Sequence, residues 1–104
     1  MIHNLSYCGA LIDGEGYIGI RKVNGKNRLE LRIQMKDEEP IKYFANTFNI
    51  KYITHNYHKN LKYPNYLICV SQNKAIGILK IITPFLICKK NKSLESMEKY
   101  LNHR

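Results

Sequence analysis

The chain has 104 residues, 44% of them hydrophobic, which allows one modest core and one domain. Seventeen Lys and Arg stand against eight Asp and Glu, a net charge of +9 that calls for an anionic partner, either a nucleic acid or a membrane surface. No apolar run could span a bilayer, the opening MIHNLSYCG has no signal-peptide pattern, and Cys8, Cys69 and Cys88 form neither a disulfide framework nor a zinc pair, so an intracellular, reducing setting is expected.

In chain order, residues 5–15 read as a helix. Ser6 stands near its start, and Cys8, Leu11 and Ile12 form an apolar stripe at helical spacing. Cys8, Gly9 and Ala10 are small, and Ala10 and Gly14 fall four apart, a spacing that lets two helices approach closely. Gly16 ends the helix. Residues 17–23 alternate as a half-buried strand, Asn24-Gly25 is a hairpin turn, and residues 28–35 alternate again. Leu29, Leu31, Ile33 and Met35 mark the core face of that hairpin. The other face carries Arg21, Arg28 and Arg32, three of the chain's four arginines, with Gln34.

A helix is predicted from Glu38 to Phe48, with Asp37 as N-cap, Pro40 in the first turn, and Ile41, Phe44, Ala45 and Phe48 inward. A second hairpin follows. Its first strand, around residues 50–57, alternates poorly, and its second starts at Asn65 after a turn over residues 58–64. Ser71 or Asn73 then caps a helix over residues 73–82, and a last helix runs over residues 89–101. The order α-β-β-α-β-β-α-α describes one α+β domain with two helix–hairpin units. The expected core includes Cys8, Leu11, Ile12, Phe44, Phe48, Ile76, Leu79 and Phe85.

Glu15, between Gly14 and Gly16, is an unusual place for a glutamate. A negative charge at a helix C-terminus is unfavourable. Either it merely closes the helix, or the glycines thin the backbone so that something bulky can reach the carboxylate.

The stretch CGALIDGEG, Cys8 to Gly16, resembles the sequence motif of the LAGLIDADG homing endonucleases. Residues 11–16, LIDGEG, match a common variant at every position, whereas Cys-Gly-Ala stands where Leu-Ala-Gly is usual. TPFLICKKNK, residues 83–92, and QMKDEE, residues 34–39, resemble the family's segments before the last helix and at the end of the second strand. The family fold is αββαββα, a four-stranded antiparallel saddle backed by helices. The resemblance therefore implies this fold for the whole chain, residues 1–104.

It implies a function as well. The chain would be a homodimeric, site-specific double-strand DNA endonuclease, intron-encoded or free-standing, that cuts a long near-palindrome to leave 3′ overhangs. Glu15 would be the catalytic, metal-binding acid, with Mg²⁺ (or Mn²⁺) as cofactor. Lys89 would be the active-site cation, and Lys90 would replace it under a one-residue shift. Gly9, Ala10, Asp13 and Gly14 would form the dimer seam, and side chains at 14 or 16 would obstruct the scissile phosphate or the partner helix. The family usually has a polar, water-positioning group where this chain has Met35. Either Gln34 serves instead through a local bulge, or that group is missing.

Strand alternation nominates Tyr17, Arg21, Lys26, Arg28, Glu30, Arg32 and Gln34 on the first hairpin, and Thr54, Asn56, His58, Asn65 and Leu67 on the second, as the DNA-binding face. Lys36, Lys59, Lys62 and Lys92 are nominated for phosphate contacts. The alternative is a catalytically weak LAGLIDADG protein that binds nucleic acid, an intron-RNA maturase or a DNA-binding regulator. Met35 favours it, and Glu15 and Lys89 oppose it.

Overall fold

A computed structural model describes residues 2–55 and 65–102. Helix α1 (Ile2–Glu15) passes without a loop into strand β1 (Gly16–Val23). Gly16 makes that junction possible. A Cβ there would lie 2.9 Å from both the Cα and the carbonyl oxygen of Ile12. Gly16 thus has a steric reason internal to the chain, whatever else approaches it.

Asn24 and Gly25 turn the chain with φ of 53° and 79°. Two positive φ values in succession match the right-handed twist of a hairpin. Strand β2 (Lys26–Met35) then pairs antiparallel with β1 from Val23↔Lys26 to Gly16↔Ile33. Helix α2 (Glu38–Phe48) follows. Asp37 occupies its N-cap position but makes no side-chain capping bond. The left-handed Asn49 (φ 53°) ends α2, and the Ile50 N–H closes on the Ala45 carbonyl at 2.9 Å.

Strand β3 (Ile53–His55) is short and β4 (Asn65–Ser71) longer, and the antiparallel sheet has the order β1-β2-β4-β3. Helix α3 (Gln72–Ile82), a 3₁₀ turn (Thr83–Phe85) and helix α4 (Lys90–Asn102) complete the chain. Ser71 is the N-cap residue of α3, but its hydroxyl accepts a bond from Arg28 Nη2 at 3.2 Å instead of capping the helix.

The helices cover one face of the sheet. Ile18, Leu29, Leu31, Ile33, Ile68 and Val70 meet Cys8, Leu11, Ile12, Phe44, Leu79, Ile82 and Met97 in one buried cluster. Phe48 and Phe85 pack against this cluster only partly buried. Among the described residues no helix lies on the opposite face, which carries Arg21, Arg28 and Arg32. No helix among the described residues is long and apolar enough to cross a membrane.

Candidate nucleic-acid interface and acidic cleft

The open face follows from strand alternation. Opposite positions in β1 and β2 pair Tyr17 with Arg32, Gly19 with Glu30 and Arg21 with Arg28. In β4, Leu67 lies opposite Gln34, Cys69 opposite Arg32 and Ser71 opposite Glu30. Arg21, Arg32, Gln34, Lys26 and Tyr17 are exposed, and Arg28 and Asn65 are half-buried. Two nominated residues do not project. Glu30 is 6% exposed and Leu67 7%, so they form the floor of the face.

Thr54 is a correction. It pairs with Tyr66, whose ring packs against the core, so Thr54 belongs to the helix side of the sheet. Ile53 pairs with Leu67 and takes the place on the open face, 52% exposed. Alternation around residues 50–57 is too weak to set the register, and one residue exchanges the faces of a strand. Asn56, His58, Lys59 and Lys62 lie outside the described residues.

Helix α1 delivers Glu15 to the end of this face. The cleft beside it is lined by Glu15, Tyr17, Arg21, Arg32 and Gln34, with Glu30 and Leu67 beneath. An adjoining cleft is lined by Glu15, Gln34, Met35, Lys36, Asp37 and Asn65. Glu15 is exposed in both, and Gly14 beside it has nothing within 4 Å of where a Cβ would stand. The β2–β4 ladder runs unbroken from Glu30↔Ser71 to Met35↔Tyr66. Gln34 therefore reaches the open face by plain alternation, with no bulge, while Met35 packs towards the core.

Asp37 stands at the N-cap position of α2. Without a capping bond, its carboxylate borders the same cleft as Glu15. The sequence held a signal for this, an acid directly after a lysine at the end of an arginine-bearing strand. Glu15, Asp37 and the Gln34 amide are hard oxygen donors of the kind Mg²⁺ takes. No group of three or more His, Cys, Asp or Glu among the described residues is close enough to enclose a metal ion. Such an ion would thus be held in part by oxygens from a ligand, which suits a phosphodiester.

The other motif acid works inside the chain. Asp13 accepts backbone N–H bonds from Ile87 (2.7 Å), Cys88 (3.1 Å) and Lys89 (3.0 Å). Burial alone would raise its pKa. The N–H groups of Ile87, Lys89 and Cys88, with the Lys89 charge, outweigh that and hold the carboxyl below its ordinary value. Lys89 Nζ donates to the carbonyls of Ile12 (3.0 Å) and Asp13 (2.7 Å), where α1 leaves its last acceptors unpaired. Lys89 thus caps the helix that ends in Glu15 and does not line the cleft. Lys90 and Lys92 are exposed in the first turn of α4.

The small residues of α1 divide. A Cβ on Gly9 would meet the Phe85 carbonyl oxygen at 2.7 Å, so Gly9 is buried against its own chain and not on an open seam. Asp13 is likewise turned inward to residues 87–89. Ala10 and Gly14 remain exposed and four apart on α1.

An α+β domain with a bare, arginine-bearing antiparallel face and a carboxylate at its margin offers a broad cationic surface to an anionic polymer. The LAGLIDADG endonuclease family model matches residues 10–101, and the chain belongs to that family. Its fold is that of solved LAGLIDADG structures. It superposes on the homing endonuclease I-CvuI bound to its target with calcium present, with a TM-score of 0.79, 12% identity, and 97% of this chain and 69% of that one covered. It also superposes on the archaeal intron-encoded homing endonuclease I-Vdi141I complexed with DNA, with a TM-score of 0.76, 17% identity, and 96% and 68% covered. For I-GzeII in complex with its DNA target the values are 0.66 and 22%, with 94% of this chain and 35% of that one covered. No curated protein matches the chain.

Proposed function

We propose that this protein is a site-specific double-strand DNA endonuclease that acts as a homodimer on a near-palindromic site. The observation that carries the reading is the placement of Glu15. An exposed carboxylate borders the same cleft as Arg21, Arg32 and Gln34. DNA lying on the open face would bring a phosphate to that acid.

Each residue then has a task. The two-stranded β1–β2 ribbon is of a size to enter a major groove, where Arg reads guanine and Gln reads adenine. Lys36 and Lys26 neutralise phosphates and set the position on the duplex. Glu15, with Asp37 and Gln34 at the cleft edge, would hold a divalent ion together with phosphate oxygens. When bound, that ion supplies charge neutralisation and an activated water. Lys89 holds the end of α1, and so the direction of Glu15, and its charge adds to the field there. One motif per chain gives one acid per chain, so cutting two strands takes two copies. The open Ala10–Gly14 stripe of α1 is the surface on which they would meet.

The three neighbours named above, all homing endonucleases in name, were solved with DNA, one of them with calcium present, which is consistent with this reading. The test is cleavage of a randomised duplex library with Mg²⁺ or with EDTA, by wild type and Glu15→Gln. Mg²⁺-dependent cuts at a near-palindrome, lost in the variant, support the reading. Selective retention of DNA without cutting in any metal supports a DNA-binding regulator instead. The core-facing Met35 and the capping role of Lys89 favour that second reading.

A further inference from the structure

An acid at the centre of a DNA-facing surface repels phosphates and needs a reason to be there. Glu30 is such an acid. On β2 it stands between Arg28 and Arg32, and across the hairpin its diagonal neighbour is Arg21. Directly opposite it is Gly19, whose bare backbone is roofed by the Tyr17 ring. A Cβ on Gly19 would lie 2.7 Å from Tyr17 Cζ.

Glu30 thus lies low in the face while Arg21 rises above it. The Glu30 side chain is 8% exposed and that of Arg21 58%, and Arg21 Nη2 sits 3.2 Å from Glu30 Oε2. Glu30 is too deep to reach the edge of a base. Arg21 has five N–H donors in a rigid fork, and the pair engages one end of it. That leaves the other donors of the fork for a second acceptor, and both side chains line the same cleft.

We infer that Glu30 does not read DNA but is a positioning residue that fixes Arg21 as a guanine reader at one base pair of each half-site. The inference rests on the open face being the DNA face. A free arginine on a strand samples many rotamers and several bases. Anchored at one end, it presents a single fork, which matches the O6 and N7 acceptors of guanine. The acid thus trades some general affinity for selectivity at one position.

The experiment is selection of bound duplexes from a randomised library in EDTA by wild type, Glu30→Gln, Arg21→Lys and Arg21→Ala, with melting curves for each. Wild type is expected to prefer guanine at one base pair per half-site by about 5- to 150-fold. Arg21→Ala should erase that preference and Arg21→Lys, which keeps donors but loses the fork, should reduce it, with the other positions unchanged. Glu30→Gln should flatten the same base pair and bind random DNA more tightly, because a negative charge has gone from each subunit. Loss of discrimination at a different base pair in Glu30→Gln, or an unchanged preference, overturns the assignment. So does Arg21→Ala retaining the guanine preference, a result that does not depend on how Glu30→Gln folds. A wild-type protein that selects no sequence refutes the DNA-binding reading itself, and this inference with it.

Discussion

Asp13 and Lys89 hold each other from both ends. The Asp13 carboxylate accepts the Lys89 backbone N–H at 3.0 Å, and Lys89 Nζ donates to the Asp13 carbonyl at 2.7 Å. The clasp joins the end of α1 to the segment before α4, residues 74 or more apart in sequence. Replacing Asp13 with Ala removes the acceptor of three N–H groups. Two of the three donors belong to exposed residues, so the cost should be about 1–2 kcal/mol, read as a fall in thermal midpoint of several degrees. Cleavage should fall with it, because Glu15 is two residues away.

The same clasp makes a pH prediction. The folded-state value of Asp13 is depressed below the unfolded ~3.9. A depressed carboxylate contributes stability that is present above the unfolded value and lost as pH falls through the folded one. Wild type should therefore lose stability below about pH 4 more steeply than Asp13→Asn, which has no such group to protonate. Urea midpoints measured from pH 6 down to pH 2.5 would show it. Parallel curves for the two proteins would exclude the clasp as an acid-sensitive element.

Gly9 and Ala10 are neighbours with opposite surroundings, and substitutions should separate them. Gly9→Ala places a methyl against the Phe85 carbonyl oxygen at 2.7 Å, so the chain itself should be destabilised by about 1–3 kcal/mol. Ala10→Leu fills an exposed position and should instead block close approach of a second α1. Sedimentation should find Ala10→Leu monomeric at concentrations where wild type dimerises. A dimeric Ala10→Leu would refute the Ala10–Gly14 seam.

Much of this was legible in the sequence, because the clear patterns are physical ones. The Asn24-Gly25 turn and the alternation of β1 and β2 fixed the first hairpin and its arginine face. The LIDGEG stretch marked Glu15. What a pattern along the chain does not show is which residues a side chain meets once the segments are packed. Gly9 looks available until Phe85 is placed beside it. Asp13 looks like a seam residue until residues 87–89 fold onto it. Thr54 sits in a strand of three residues, too short to show a period, and its face is set by pairing with Tyr66. Glu30 looks like a reader until Arg21 is seen above it.

Phosphate contacts should be visible as salt dependence. Lys36 is exposed at the edge of the cleft shared by Glu15 and Asp37. A lysine that neutralises one phosphate releases about one counterion on binding, so log K falls with log salt by about one unit per contact. Lys36→Ala should weaken binding to all sequences alike and reduce that slope by roughly two for a dimer. Fluorescence anisotropy titrations from 50 to about 200 mM salt give the slope. An unchanged slope would remove Lys36 from the DNA path.

Lys89 can be tested for its two possible tasks separately. As a cap, its ammonium satisfies the carbonyls of Ile12 and Asp13, so Lys89→Met should lower the thermal midpoint and the rate of cleavage together. Lys89→Arg keeps the charge and the donors and should recover most of the stability. An ammonium that acted only on the reacting phosphate would give the opposite pattern, with cleavage lost at an unchanged melting point and no rescue by arginine. Measuring both variants for melting and for single-turnover cleavage decides between them. The bonds to the end of α1 predict the first pattern, because the carbonyls that Lys89 holds belong to the turn that aims Glu15.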